Sequence, residues 1–310
     1  MNFICKISCC LLLAPLLLVH CVKEITLDLP NESPRLVVNA CFEPGHPFRV
    51  RLSASQSVVG ANRPLSVPDS KVYLEQEGVR IDTLLPVSYN GVTIWESRRT
   101  VLPNVLYALR VSASGLEPVF TVASAPHPFP VQQALIQQDD MRVVTLSDGR
   151  ERLYMPLHIR LPDALPLQPF FGFSVETLCD VYDNAGGVHP VLTGTESRRT
   201  PFSADARTSA LLYALPEPWS MLHRNYWQLP TRQVDLHVWV DYEPQTEVPR
   251  TLMLQWFTFS EAYYRYYLSL TRQGANTPLS DPDALYNNIE GGYGNFSGFA
   301  RDTFLIPIPK

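Results

Sequence analysis

Proline occupies 28 of the 310 positions, against 15 for glycine, and this frequency constrains the fold more than any other single feature. An average chain carries about 5% proline. Inside a helix each proline costs about 3 kcal/mol or more, and in a central strand it removes a ladder donor. Strand ends, edge strands and stiff loops tolerate it. Hydrophobic residues make up 45% of the chain and charged residues 18%, which supports a buried core and excludes intrinsic disorder. The expectation is therefore a mainly β protein of short strands and stiff loops. At roughly 150 residues per domain the length suggests about two domains. Lys plus Arg is 25 and Asp plus Glu is 30, a net charge of -5, so no basic face is offered to nucleic acid.

The N-terminus has the pattern of an address. Lys6 precedes the apolar run Leu11 to Val19, which Pro15 interrupts. That run is too short to span a bilayer as a helix, which takes about twenty residues, and it matches the apolar core of a secretory signal. Leu18-Val19-His20-Cys21 resembles a bacterial lipobox, with His20 where a small residue is expected. Residues 1–20 are read as a lipoprotein signal peptide and Cys21 as the lipidation site. Cys9 and Cys10 stand as alternative positions, and a plain signal cut elsewhere is the other reading. Multiple acyl chains, at about 0.8 kcal/mol per buried methylene, give stable membrane anchoring without a transmembrane helix. Cys41 and Cys179 remain in the body of the chain. Sequence leaves open whether they pair or stay as free thiols.

After a tether at 21–34, alternation sets in. Phe48, Val50 and Leu52 alternate with Arg49, Arg51 and Ser53, and Val72 and Leu74 with Lys71, Tyr73 and Glu75. This is the period of a half-buried strand. Further runs at Val92 to Trp95, Leu106 to Val111 and Val119 to Val122 complete an expected β-sandwich over 35–124, immunoglobulin-like or transthyretin-like. Pro126, Pro128 and Pro130 mark a linker at 125–130. The second block, 131–310, is expected to be a second β-sandwich-like domain. Its strands run over Arg152 to Leu161, Phe170 to Leu178, Gln233 to Tyr242 and Arg250 to Phe259. The last has both faces covered, as a central strand does.

One aromatic helix is expected near the C-terminus, at 261–273. Ser260 can cap it and Glu261 suits its first turn. Tyr263, Tyr267 and Leu270 form one stripe, with Tyr264 and Leu268 beside it. The glycine-rich segment from Tyr286 to Phe299 is expected to pack beneath this helix, and Thr303 to Ile306 to form a last strand.

Chemistry is sparse. The chain has no Gly-x-x-x-x-Gly-Lys loop, His-Glu-x-x-His pair or Gly-x-Ser-x-Gly elbow. No catalytic residues, metal ligands or cofactor are assigned. Asp235, His237 and Asp241 share one strand face with Trp239. Alternate strand positions lie about 6.6 Å apart, though, and such a face is ordinarily solvated. Tyr263, Tyr264 and Tyr267 are the candidate ligand-binding residues, since tyrosine joins an apolar ring to a polar tip.

Several segments in this order resemble one family. They are Cys21-Val22-Lys23-Glu24-Ile25, Leu36-Val37-Val38, Val67 to Leu74, Tyr266 to Leu270 and Asn287 to Gly294. Together they resemble the Bacteroidetes lipoproteins known as domain of unknown function 4249. The resemblance implies a two-part, mostly β outer-membrane lipoprotein, often encoded beside TonB-dependent receptors, and it brings no catalytic residues. Lys23-Glu24 after Cys21 resembles the charged tether of cell-surface lipoproteins. The leading expectation is a surface-exposed, non-catalytic binding or accessory module for a TonB-dependent receptor in nutrient uptake. The alternatives are a pilin-like subunit of a surface fibre and a hydrolase with a dispersed site.

Overall fold

The expected alternation becomes strand pairing in the computed structural model. It describes residues 33–56, 65–67, 69–162, 170–183, 190–210, 212–214, 219–223, 232–274 and 284–309. In the first block the strands are β1 (Leu36–Phe42), β2 (Pro47–Ala54), β3 (Lys71–Gln76), β4 (Val79–Tyr89), β5 (Val92–Thr100), β6 (Leu106–Ser112) and β7 (Val119–Ser124). The next are β8 (Gln133–Ile136), β9 (Arg142–Thr145), β10 (Glu151–Arg160), β11 (Phe170–Asp183), β12 (Val191–Arg199) and β13 (Phe202–Ala204). A short helix α1 (Ala206–Ser209) is followed by β14 (Leu212–Ala214), β15 (Ser220–Leu222), β16 (Gln233–Tyr242) and β17 (Glu247–Phe259). Helix α2 (Glu261–Gly274) and strand β18 (Tyr293–Pro307) close the chain. The protein is mainly β, as the proline content and the alternation imply.

The larger sheet runs β14-β15-β11-β17-β18-β1-β2-β5-β4-β3-β6-β7, with β12 beside β11. The smaller runs β13-β16-β10-β8, with β9 also on β10. Among the described strands, β1 and β18 pair in parallel and the other pairs are antiparallel. β17 lies between β11 and β18, the central place its doubly covered faces imply. β4 turns a corner. Val79 to Leu84 pair with β3, and Leu85 to Tyr89 pair with β5. Pro86 lies in the second half, where β3 no longer needs its missing N–H.

Three buried clusters follow. The first gathers Leu36, Phe42, Phe48, Trp95, Tyr107 and Leu109. The second lies between the inward faces of β10 and β16 and those of β11 and β17, around Leu157, Val238, Phe173 and Trp256. The third lies under α2. Ser260 caps that helix, its Oγ accepting from the Tyr263 N–H at 3.3 Å.

The glycine-rich segment departs from expectation. Its two ends meet the helix, where the Tyr286 N–H donates to Ser269 Oγ at 2.9 Å and Phe299 packs 5.4 Å from Tyr263. Ile289 and Phe296 instead enter the first cluster, and the last strand begins at Tyr293, not Thr303. The glycines explain the difference. Gly294 has φ +119°, and a Cβ there would run into the Val38 carbonyl oxygen of β1. A Cβ on Gly292 would meet the Leu36 carbonyl oxygen. These positions are bare so that β18 can approach β1. Asn288 fixes the approach, because its Nδ2 donates to the Phe296 carbonyl at 2.7 Å and its Oδ1 accepts the Phe296 N–H at 3.0 Å.

Candidate functional site

The smaller sheet turns one face inward, with Leu153, Met155, Leu157 and Ile159 of β10 against the second cluster. Its other face therefore carries the alternate residues Arg152, Tyr154, Pro156 and His158. From β16 the same alternation brings Asp235, His237, Trp239 and Asp241. The register sets Tyr154 opposite Trp239, Arg152 opposite Asp241, His158 opposite Asp235 and Pro156 opposite His237. Arg142 of β9 lies opposite Tyr154, and Ser203 of β13 opposite His237.

Pro156 makes the concavity. β9 pairs with β10 up to Tyr154 and β8 pairs from Leu157 onward, so residues 155 and 156 face a break between two neighbours. The Pro156 carbonyl accepts from the Gln137 N–H across that break at 3.0 Å. In an extended strand a residue's N and O point to the same side, so the missing proline donor also faces the break. The compact ring leaves a floor with taller side chains around it. The resulting bowl holds about 500 Å³ and is lined by Tyr154, Trp239, His158, His237, Gln137 and Ser203, with Arg142 and Asp140 at its rim.

The neighbours of the bowl are held in place. Arg152 binds Asp241 through two hydrogen bonds, Nε to Oδ1 at 2.6 Å and Nη2 to Oδ2 at 2.8 Å. That guanidinium holds the Asp241 carboxyl below the usual carboxylate range. His158 Nδ1 lies 2.6 Å from Asp235 Oδ1, and its Nε2 lies 2.9 Å from Gln137 Oε1. The Tyr154 and Trp239 ring centroids are 6.3 Å apart at 43°. Arg142 lies over Tyr154 at 4.7 Å and Arg152 over Trp239 at 6.0 Å. Such ladders of ring and guanidinium hold side chains in one orientation.

A second cavity, about 760 Å³, opens beside the first and shares Arg142 with it. Its walls include Leu153, Tyr242, Val248, Pro249 and Ile308. Tyr242 Oη donates to Glu151 Oε2 at 2.5 Å, and burial pushes the phenol up to about 12.

The candidates from the sequence are placed elsewhere or differently. Cys21 lies outside the described residues. Tyr263 and Tyr264 are 6% and 4% exposed and belong to the third cluster, with Tyr267 packed against it. Tyr263 stacks on Phe259 at 4.8 Å, Tyr264 on Phe170 at 4.4 Å, and Tyr267 meets Trp219 edge-on at 5.1 Å. The polar face of β16 is where sequence and structure meet. Asp235 and Asp241 each have a partner from β10, while His237 opens into the bowl. Tyr154, Pro156 and the ring pair enter the site only through strand register. The available signal was Trp239, a large aromatic at an otherwise polar alternating position. Cys41 and Cys179 form no disulfide.

Residues 22–304 match the family model described as Domain of unknown function (DUF4249). No curated protein matches. Among solved structures, a beta-glycosidase from Bacteroides vulgatus shares 11% identity, with 89% of this chain and 25% of that chain covered, at TM-score 0.20. This chain thus spans a quarter of the glycosidase's length. The three N-terminal domains of the bacteriophage RB49 highly immunogenic outer capsid protein share 11% identity, covering 89% of this chain and 71% of that one, at TM-score 0.20. A partial N-terminal region of an enterococcal surface protein shares 8% identity, covering 90% and 96%, at TM-score 0.17. Superpositions at these scores carry no argument about activity.

Proposed function

The chain belongs to the DUF4249 family of domains of unknown function, and on that premise we propose a lipid-anchored, non-catalytic binding module. It is held on the outer membrane through Cys21, faces the cell surface, and serves a TonB-dependent receptor as an accessory. The single observation that carries the binding role is the bowl over Pro156. It has the size of a small-molecule site, about 300–1,000 Å³, and most of its lining stands on paired strands, with Gln137 and Asp140 from the short segment between β8 and β9. Its flanking polar groups are held, Arg152 by Asp241 and His158 between Asp235 and Gln137. A recognition surface gains affinity when its groups need not reorganise on binding. The anchor and the charged tether support the location, and the resemblance to lipoproteins encoded beside such receptors supports the partner.

The test is recovery of the tagged full-length chain from outer membranes solubilised in mild detergent. A TonB-dependent barrel should be recovered with it. Recovery of the lipoprotein alone contradicts the accessory role, and filaments containing it on washed cells favour a fibre subunit.

A further inference from the structure

We infer that the bowl over Pro156 binds a neutral saccharide ring, a conclusion that rests on reading this chain as a binding module. The lining carries one guanidinium, Arg142, and one carboxylate, Asp140. Beside it Arg152 is paired with Asp241, and Asp235 is engaged by its neighbours His158 and Gln233. The two lining charges are of opposite sign, so the lining itself favours neither an anion nor a cation.

The lining is mixed in a particular way. Tyr154 and Trp239 supply aromatic surface on one side. Gln137, Ser203, His158 and His237 supply amide, hydroxyl and imidazole groups on the others. These polar groups include both donors and acceptors. His158 is already engaged by Asp235 and Gln137, so a purely apolar ligand would desolvate the Ser203 hydroxyl and the His237 ring, at about 1–3 kcal/mol for each. A ring bearing hydroxyls can donate and accept at every edge. Its C–H face carries slight positive charge, which suits the negative face of an aromatic ring. A sugar ring joins those two surfaces in one molecule. The volume of about 500 Å³ admits such a ring. The second cavity sets Arg142, Glu151, Glu247 and Arg250 among aliphatic side chains and has Tyr242 as its one lining ring, so it lacks the aromatic pair.

The experiment uses full-length protein in detergent micelles on an array of neutral oligosaccharides, with sialylated and sulfated glycans as the charged arm. Titration calorimetry then measures the strongest neutral binder. Neutral glycans should be retained. Trp239→Ala should weaken binding about tenfold or more, Trp239→Phe should keep most of it, and His237→Ala should weaken it without changing the melting temperature. His237 is exposed, so the last variant tests the site even if Trp239→Ala folds poorly. Absence of neutral-glycan binding, binding only to charged glycans, or binding unchanged by both alanine variants would overturn the inference. Barrel recovery is scored separately. A barrel without sugar binding removes this inference alone, and sugar binding without a barrel removes the receptor role alone.

Discussion

Replacing Phe296 with alanine should cripple the first cluster, although the residue lies more than 170 positions beyond the end of β7 at Ser124. The ring is 0% exposed. Its centroid lies 4.7 Å from that of Phe42 and 6.5 Å from that of Phe48. Phe48 in turn meets Tyr107 edge-on at 4.8 Å. Truncating a buried phenylalanine to alanine costs about 3–5 kcal/mol. Aromatic pairs contribute about 0.5–1.5 kcal/mol each beyond their area, so two such partners place Phe296→Ala near the top of that range. A domain holds about 5–15 kcal/mol in all, and the loss is at least a quarter of it. Urea unfolding compared at constant m gives the difference, and amide exchange locates it. Protection should fall in β1, β2 and β6. A loss below about 1 kcal/mol, or loosening confined to α2, would refute the placement and restore the segment to the helix.

Gly294→Ala should be as damaging as a core truncation, because φ is +119° and the added methyl meets the Val38 carbonyl oxygen; soluble yield and melting temperature measure it. Acid should destabilise the fold through the paired carboxylates. The Arg198 side chain holds Glu247, and Arg152 holds Asp241, below their ordinary values. Their contribution is complete above the unfolded range of about 4 and is lost as pH falls through the folded values. Glu247→Gln should therefore lower the melting temperature at pH 7 and converge on the parent protein in acid, whereas a constant offset would deny the linkage. Cys179 is fully buried, and burial pushes its thiol up to about 11. A maleimide at pH 7.5 should label it only after denaturant is added, as intact mass would show.

Most of the fold was legible because burial writes itself into period-2 alternation. β2 and β16 show it plainly, with burial patterns that alternate along their length. The capped helix was legible from Ser260, Glu261 and the tyrosine stripes. β12 was not, because it lies at an edge with almost every residue exposed and so has no apolar face to display. β4 was hidden for a related reason. It changes partners at Leu85, and Pro86 falls within it. The glycine-rich segment misled because glycine reports a close approach without naming the approaching strand. β1, far away in sequence, supplies that neighbour. At the site, the polar face of β16 was visible while its depth was not. That depth comes from where β9 ends and β8 begins along β10, a property of registers that no local pattern encodes.

The central claim is a binding face presented outward from an anchored module, and cysteine accessibility tests it most directly. Ser203 is exposed and lines the bowl, so Ser203→Cys, in a chain also carrying Cys41→Ser, places one reachable thiol at its edge. A membrane-impermeant maleimide applied to intact cells should label this variant to the same extent as it labels the protein in lysed cells. Labelling that appears only after lysis would put the bowl on the periplasmic side and contradict the account.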